Sequence, residues 1–243
     1  MDLLFTCILV VSLGFAATRL PGIAKKRNQA IAACGAALSF ALALMVSPIY
    51  NLFEDAFERT NFTDLFAKLA LFFAVNILGN QLARGLRDEQ AFARIGGFQG
   101  RLVFIFAFIL EMVLFAFTTT PEPSPGLELY QTEPVVIAYT GVAVGYIAYV
   151  CSCLIPPLTA QFRDGHSKLG RTAAGLLIAG FALVIVRAIF VFVGIPYPGI
   201  YDFAQGISLL STLCVIAGLA IAWRSLRVHG EPLVRQSAFR DED

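Results

Sequence analysis

"AGFALVIVRAIFVFVG", residues 179 to 194, decides the fold class, because fifteen of its sixteen residues are apolar or glycine. The surrounding apolar segment, 172 to 194, reaches the length of about 20 residues that a helix needs to cross a membrane. The exception is Arg187, whose guanidinium stays charged inside a protein. Charged side chains within membrane spans face other helices or a wet cavity and mark functional sites. Arg187 is therefore the first candidate functional residue.

The composition supports the same class. Hydrophobic residues make up 58% of the 243 residues and charged residues 14%, whereas soluble domains are about half apolar and about a quarter charged. The net charge of +1 does not favour binding to nucleic acid. We therefore expect an integral membrane protein whose principal partner is the lipid bilayer, with no room for a separate soluble domain.

Seven apolar runs are long enough to span a membrane. They cover residues 3 to 18, 30 to 50, 63 to 82, 102 to 119, 134 to 155, 172 to 194 and 205 to 223. Backbone groups in hydrocarbon must be hydrogen-bonded within the segment, so each run is expected to be a helix. The first run is predicted to be a helix rather than a secretory signal, because the chain starts Met1-Asp2 and its basic cluster follows the run. The sequence thus predicts an all-α protein with one seven-helix bundle at 1 to 223 and a polar cytoplasmic tail at 224 to 243.

The orientation follows from the lysines and arginines between the runs. Fifteen of them lie on one side, in the first, third and fifth connections and the tail, and only Arg59 lies on the other. The positive-inside rule then places the N-terminus outside and the C-terminus in the cytoplasm. The outer connections 51 to 62, 120 to 133 and 195 to 203 are rich in acidic residues, aromatics or proline. They are expected either to form a lid over the bundle or to act as simple connectors.

Three charged residues lie deep within the predicted spans, all in the outer half: Lys68 in helix three, Glu111 in helix four and Arg187 in helix six. Ionised groups at this depth need an opposite charge, an inward orientation or water. We expect an ion pair between Glu111 and Arg187, with Lys68 as the competing partner of Glu111. Lys68 also has a local alternative in Asp64, four residues earlier on the same helix.

Two weaker signals lie on helices three and five. Asn76 continues the polar side of helix three towards the cytoplasm, where it is expected either to hydrogen-bond another helix or to contact a ligand. Gly141 and Gly145 form a GxxxG pattern, which is typical of closely packed helices.

The sequence lacks the residue patterns that several functional classes require. The two histidines are far apart and form no metal motif, no phosphate-binding glycine pattern is present, and helix seven has no lysine to hold retinal. The prolines Pro48, Pro156, Pro157 and Pro196 lie at the ends of predicted spans, unlike those of transporters with interrupted helices. We therefore predict no enzymatic activity, no metal and no cofactor.

Two stretches resemble a family of actinobacterial polytopic membrane proteins that are commonly labelled as transporters. These are "ALSFALALMVSPIYNLFEDAFERTNFTDLFAKL" (37 to 69) and "LGRTAAGLLIAGFALVIVRAIFVFVG" (169 to 194). In the second, the family often has a basic residue where Arg187 stands. The resemblance implies a bacterial plasma membrane and, through the family's label, a transport role.

The residues themselves predict a non-enzymatic, receptor-like protein. Its outward-facing polar pocket would be lined by Arg187, Glu111, Lys68 and Asn76 and would bind a small molecule, while the basic loops contact a cytoplasmic protein. The alternative is a secondary transporter or an accessory subunit of a transport system. A third interpretation is a purely structural ion pair that fixes helix packing.

Overall fold

The computed structural model describes residues 29 to 56, 61 to 165, 167 to 193 and 200 to 229, together with Val10 and Gly14. The described part of the chain is helical and contains no strand, as the sequence predicts. Its eight α-helices are α1 (Gln29–Ala43), α2 (Ser47–Ala56), α3 (Phe62–Gly85), α4 (Glu89–Gly96), α5 (Phe98–Ala116), α6 (Pro134–Asp164), α7 (Lys168–Val193) and α8 (Ile200–His229). A 3-10 helix at Pro125–Tyr130 interrupts the connection between α5 and α6.

Four helical segments are long and apolar enough to cross a membrane: α3, α4 with α5, α6, and α7. The bent pair of α1 and α2 makes a fifth if it counts as one span. Within α8, residues 206 to 222 form a shorter apolar stretch. The predicted first span, 3 to 18, lies outside the described residues apart from Val10 and Gly14. The chain is thus a helical bundle with four or five spans of sufficient length among its described residues.

The predicted second span, 30 to 50, is not one straight helix. Helix α1 ends at Ala43 and α2 begins at Ser47, with an angle of 85° between them. The turn is closed by short-range bonds such as Val46 N–H to Ala43 O at 3.1 Å, which tighten the chain at the end of α1. Pro48 then stands in the first turn of α2, where a missing N–H is tolerated. Hydropathy alone did not reveal this break, because both halves are apolar.

Helix α6 lies at the centre of the bundle. It packs against α3, α4 and α5, and also against α7, which in turn packs against α8. The ring centroids of Phe72 on α3 and Tyr146 on α6 are 4.9 Å apart, and both side chains are buried. Pro156 and Pro157 lie inside this helix, which continues to Asp164. The helix therefore does not end at the predicted span boundary of 155, and both prolines lie within it.

Helix packing is close at Gly180 and open at Gly145, the second glycine of the predicted GxxxG pattern, whereas Gly141 is buried. A Cβ at Gly180 would lie 2.8 Å from Val215 Cγ2 and 3.1 Å from Ser211 O, on the facing helix α8. The Ser211 hydroxyl also donates to Gly180 O at 3.0 Å. At Gly145, by contrast, a Cβ would meet no atom within 4 Å.

We expect Gly180→Ala to lower the free energy of unfolding by about 1–3 kcal/mol, because an extra methyl group overpacks the contact between α7 and α8. Gly145→Ala is the matched control, and it is expected to be neutral or to stabilise by up to about 1 kcal/mol through helix propensity. Thermal unfolding in detergent measures both variants. Equal melting temperatures for the two would contradict this account of the packing.

Candidate functional site

The start of α3 is held by a buried carboxylate from α2. Glu54, which is fully buried, accepts the N–H of Asn61 at 2.6 Å and the N–H of Thr63 at 2.8 Å. The first N–H groups of a helix have no partner within the helix, and the helix dipole favours a negative charge there. Both carboxylate oxygens of Glu54 therefore accept hydrogen bonds from backbone N–H groups at the start of α3.

Asn61 joins this junction to the connection between α5 and α6. Its backbone has φ 57°, in the left-handed region that asparagine tolerates better than most residues. Its Oδ1 accepts from the Tyr50 hydroxyl at 2.5 Å and from the Ser124 N–H at 2.8 Å. Its Nδ2 donates to Glu122 O at 2.9 Å and to Thr120 O at 3.3 Å. One fully buried side chain thus fixes the connection to α2 and α3.

The connection covers one end of the bundle. Leu127, from its 3-10 helix, is fully buried and packs with Leu65, Val136 and Tyr139. Residues 120 to 133 therefore cover one end of α3 and α6, and we call them the lid. A lid formed by all three predicted outer connections together stays a prediction. In the other two outer connections, residues 57 to 60 and 194 to 199 lie outside the described residues.

Beneath this lid, Lys68 is paired with Asp64. The distance from Nζ to Asp64 Oδ2 is 3.0 Å, and the Lys68 side chain is 11% exposed. The ammonium also lies 3.5 Å from the centroid of the Tyr139 ring, within the range of a cation–π interaction. The local i,i+4 pair, one of the two arrangements that the sequence allowed for Lys68, is confirmed.

Glu111, on α5, lies near the ion pair of Lys68 and Asp64. It is fully buried, and the charges that act on it are those of Lys68 and Asp64. Neither of its carboxylate oxygens has a hydrogen-bond partner. We call the set around it the buried polar cluster; its members are Thr63, Asp64, Lys68, Glu111 and Tyr139.

The buried polar cluster contains donors and acceptors without hydrogen-bond partners, among them Lys68 Nζ and the carboxylate oxygens of Asp64 and Glu111. It contains two carboxylates and one ammonium. The Thr63 hydroxyl also has no hydrogen-bond partner, and the Tyr139 hydroxyl lies close to Asp64 without the geometry of a hydrogen bond. Buried polar groups in native proteins nearly always have partners, which include water and ligands. The arrangement therefore has the chemistry of a site that receives water or a polar ligand.

Arg187 lies elsewhere in the bundle. It is half-buried on α7, which packs against α6 and α8. In the described part of the chain, α5 and α7 do not pack extensively against each other. No hydrogen bond joins Arg187 to Glu111, since both Glu111 oxygens lack one. Lys68, the competing partner in the prediction, lies near Glu111, but its ion pair is with Asp64.

Asn76 also lies apart from the buried polar cluster. It follows Lys68 by eight residues on α3, a rise of about 12 Å. Its Nδ2 donates to the Tyr146 hydroxyl on α6 at 2.9 Å, which confirms the hydrogen bond between helices as one of its two expected roles. Asn76 also lines a separate cleft near the end of α3. Of the four predicted pocket residues, the structure therefore brings together Lys68 and Glu111.

Sequence reasoning missed Glu54, Asn61 and Tyr139. Glu54 and Asn61 lie in a segment that reads as an outer connection, and an N-terminal helix signal at Asn61 was the one available sign of their role. Tyr139 stands in an apolar run with no distinguishing pattern. Their roles depend on contacts between helices that are distant in sequence.

Among the residues that the structure describes, no group of three or more His, Cys, Asp or Glu side chains is arranged to hold a metal ion. Comparison of the chain with protein-family models, with curated proteins and with solved structures found no match. The resemblance to the actinobacterial family therefore stays a prediction.

Proposed function

We propose that the chain is a non-enzymatic, seven-helix plasma-membrane protein whose buried polar cluster binds a small molecule in the manner of a sensor or receptor. Its N-terminus would lie outside and its C-terminus in the cytoplasm, so that the lid faces outwards and the basic loops face a cytoplasmic partner. The observation that carries the proposal is the fully buried Glu111 carboxylate, whose two oxygens have no hydrogen-bond partner.

The cluster indicates the class of ligand. With both buried carboxylates ionised, two negative charges face the single charge of the Lys68 ammonium, so an added positive charge or several N–H or O–H donors would balance the site. Hydrogen bonds between an ionised carboxylate and an ammonium are about twice as strong as neutral ones. A small amine, with hydroxyl groups that reach Thr63 and Tyr139, fits this description.

Access would require movement of the lid. Residues 120 to 133 are attached mainly through Asn61 and through the packing of Leu127. A ligand that binds only when the lid opens, and that then holds it closed, would give the outer face two states. Such a change is what a receptor transmits to a partner on the other side.

The test is a thermal-shift screen of the purified protein with a panel of small amines and amino alcohols, matched by polyols of similar size. We expect an amine to raise the melting temperature in a saturable way. Glu111→Gln keeps the volume but removes the charge, and it should weaken this binding by at least about tenfold through loss of a charge-assisted bond. Glu89→Gln, at an exposed position on α4, is the control.

Unchanged amine affinity in Glu111→Gln would place the binding elsewhere. A melting temperature that no amine raises in the wild-type protein would contradict the proposed ligand class. Polyols that bind as tightly as amines would show that donors, rather than charge, are recognised.

A secondary transporter, or an accessory subunit of one, is the second candidate. Two observations favour it: the 85° break between α1 and α2, and the two prolines inside α6. Interrupted and proline-containing helices are common around the substrate sites of transporters. Vesicles with the reconstituted protein and a radiolabelled amine separate the two functions, because uptake supports transport, whereas saturable binding without uptake supports a receptor.

A further inference from the structure

A cleft of about 340 Å³ opens near the end of α3, between α3, α4 and α5. It is distant from the buried polar cluster and lies at the end of the bundle that carries the basic connections. Arg84 and Arg101 line it together with the amides Asn76, Asn80 and Gln81, and its lining contains no carboxylate. We call it the basic cleft.

Both arginines are held in place by neighbours that leave most of their donors available. The guanidinium carbon of Arg84 lies 4.8 Å from the centroid of the Phe92 ring. Arg101 donates from Nε to Gly96 O at 3.1 Å. Each guanidinium has five N–H donors in a planar arrangement that suits the oxygens of a phosphate. The two side chains therefore offer a preformed anion site.

Asn80 adds an acceptor to this site. Its Nδ2 donates to Asn76 O at 2.9 Å, while its buried Oδ1 has no hydrogen-bond partner. Gly96 makes room for this group, because a Cβ there would overlap Asn80 Oδ1. A ligand that carries a hydroxyl beside its anionic group would satisfy Asn80 as well as the arginines.

An apolar strip continues from the basic cleft towards the middle of the bundle. Phe104 lines the cleft, and its ring centroid lies 5.4 Å from that of Phe73 and 6.0 Å from that of Phe108. Phe73 is 47% exposed, and further apolar side chains along α5, such as Ile105 and Phe106, are exposed as well. In a membrane this face lies against acyl chains, so the natural ligand of the cleft is one with an apolar tail.

We propose that the basic cleft binds the headgroup of an anionic phospholipid. Its phosphate would contact Arg84 and Arg101, a headgroup hydroxyl would donate to Asn80 Oδ1, and one acyl chain would follow the strip of Phe104, Phe108 and Phe73. Basic pockets between helices at the cytoplasmic side of membranes bind anionic headgroups in this way. The site is independent of the proposed function of the buried polar cluster.

The test uses the full chain in neutral detergent micelles, with native mass spectrometry to count retained lipids. The probes are phosphatidylglycerol and phosphatidylcholine with the same acyl chains, and free glycerol 3-phosphate. We expect phosphatidylglycerol to bind at least about tenfold more tightly than the other two, because it alone combines the negative charge with the apolar tail.

The paired variants separate the cleft from general surface charge. Arg84→Gln with Arg101→Gln should abolish the preference for phosphatidylglycerol. Arg163→Gln with Lys168→Gln removes the same charge from exposed positions at the end of α6 and the start of α7, and it should leave the preference intact.

Three results would overturn the proposal. They are equal binding of both phospholipids by the wild-type chain, equal loss in both double variants, and binding of glycerol 3-phosphate as tight as that of phosphatidylglycerol. The last result would assign the cleft to a soluble phosphate compound. The comparison of lipids on the wild-type chain requires no variant, so the proposal stays testable even if a variant misfolds.

Discussion

Lys68→Met is expected to lower the free energy of unfolding by about 3–5 kcal/mol, the cost of removing one partner from a buried ion pair. Methionine keeps most of the unbranched apolar stem of the side chain and removes the ammonium, so the main loss is that of the charge. Asp64, which is fully buried, loses its partner at 3.0 Å, and Glu111 loses the cation that acts on it. Thermal or denaturant unfolding in a fixed detergent measures the change.

The double variant isolates the charge effect. Asp64→Asn in the Lys68→Met background should recover part of the stability, because one stranded carboxylate is then removed. Lys168→Met, at an exposed position, is the matched control and should have little effect. A Lys68→Met variant as stable as the Lys168→Met control would show that the buried polar cluster is not held together by charge.

Asn61→Ala should have the second largest effect, a loss of about 3 kcal/mol in the free energy of unfolding. The substitution removes four hydrogen bonds, to Tyr50, Thr120, Glu122 and Ser124, and places alanine in the left-handed region. The lid would lose its main polar attachment. Hydrogen exchange of the amides in residues 118 to 130 should then be faster, since the Ser124 N–H loses its acceptor.

Two controls separate the contributions at this position. Asn61→Gly removes the same hydrogen bonds but tolerates the left-handed backbone, so it should be milder than Asn61→Ala by about 1 kcal/mol. Asn51→Ala, at an exposed position on α2, should leave the lid unchanged. Protection of residues 118 to 130 that is the same in Asn61→Ala and wild type would refute the role of Asn61 in the lid.

The long helices were predictable because hydropathy directly reports the length of an apolar segment. The predicted spans at 63 to 82, 102 to 119 and 172 to 194 fall on α3, α5 and α7 with boundaries within a few residues, except that α7 begins earlier, at Lys168. The break at residues 44 to 46 was missed, since the apolar run continues across it to residue 50 while the chain direction changes. The extension of α6 through Pro156 and Pro157 was missed because proline usually marks a helix end.

The candidate site was predictable only where the partners share a helix. Lys68 and Asp64 are four residues apart, and their pairing follows from helix geometry alone. The choice between Lys68 and Arg187 as the cation near Glu111 depends on which helices are neighbours, and α6 stands between α5 and α7. Hydropathy and residue spacing do not indicate which helices pack against each other. Asn76 lies on the predicted helix, but it is too far from Lys68 along the helix axis for the two side chains to line one pocket.

The most direct test of the central claim is an experimental density map of the protein in a lipid nanodisc, at a resolution that shows ordered water. The claim predicts non-protein density, from a ligand or from water, within hydrogen-bond distance of the Glu111 carboxylate and the Tyr139 hydroxyl beneath the lid. A Glu111 side chain that packs against apolar groups alone, or that faces the lipid, would contradict it.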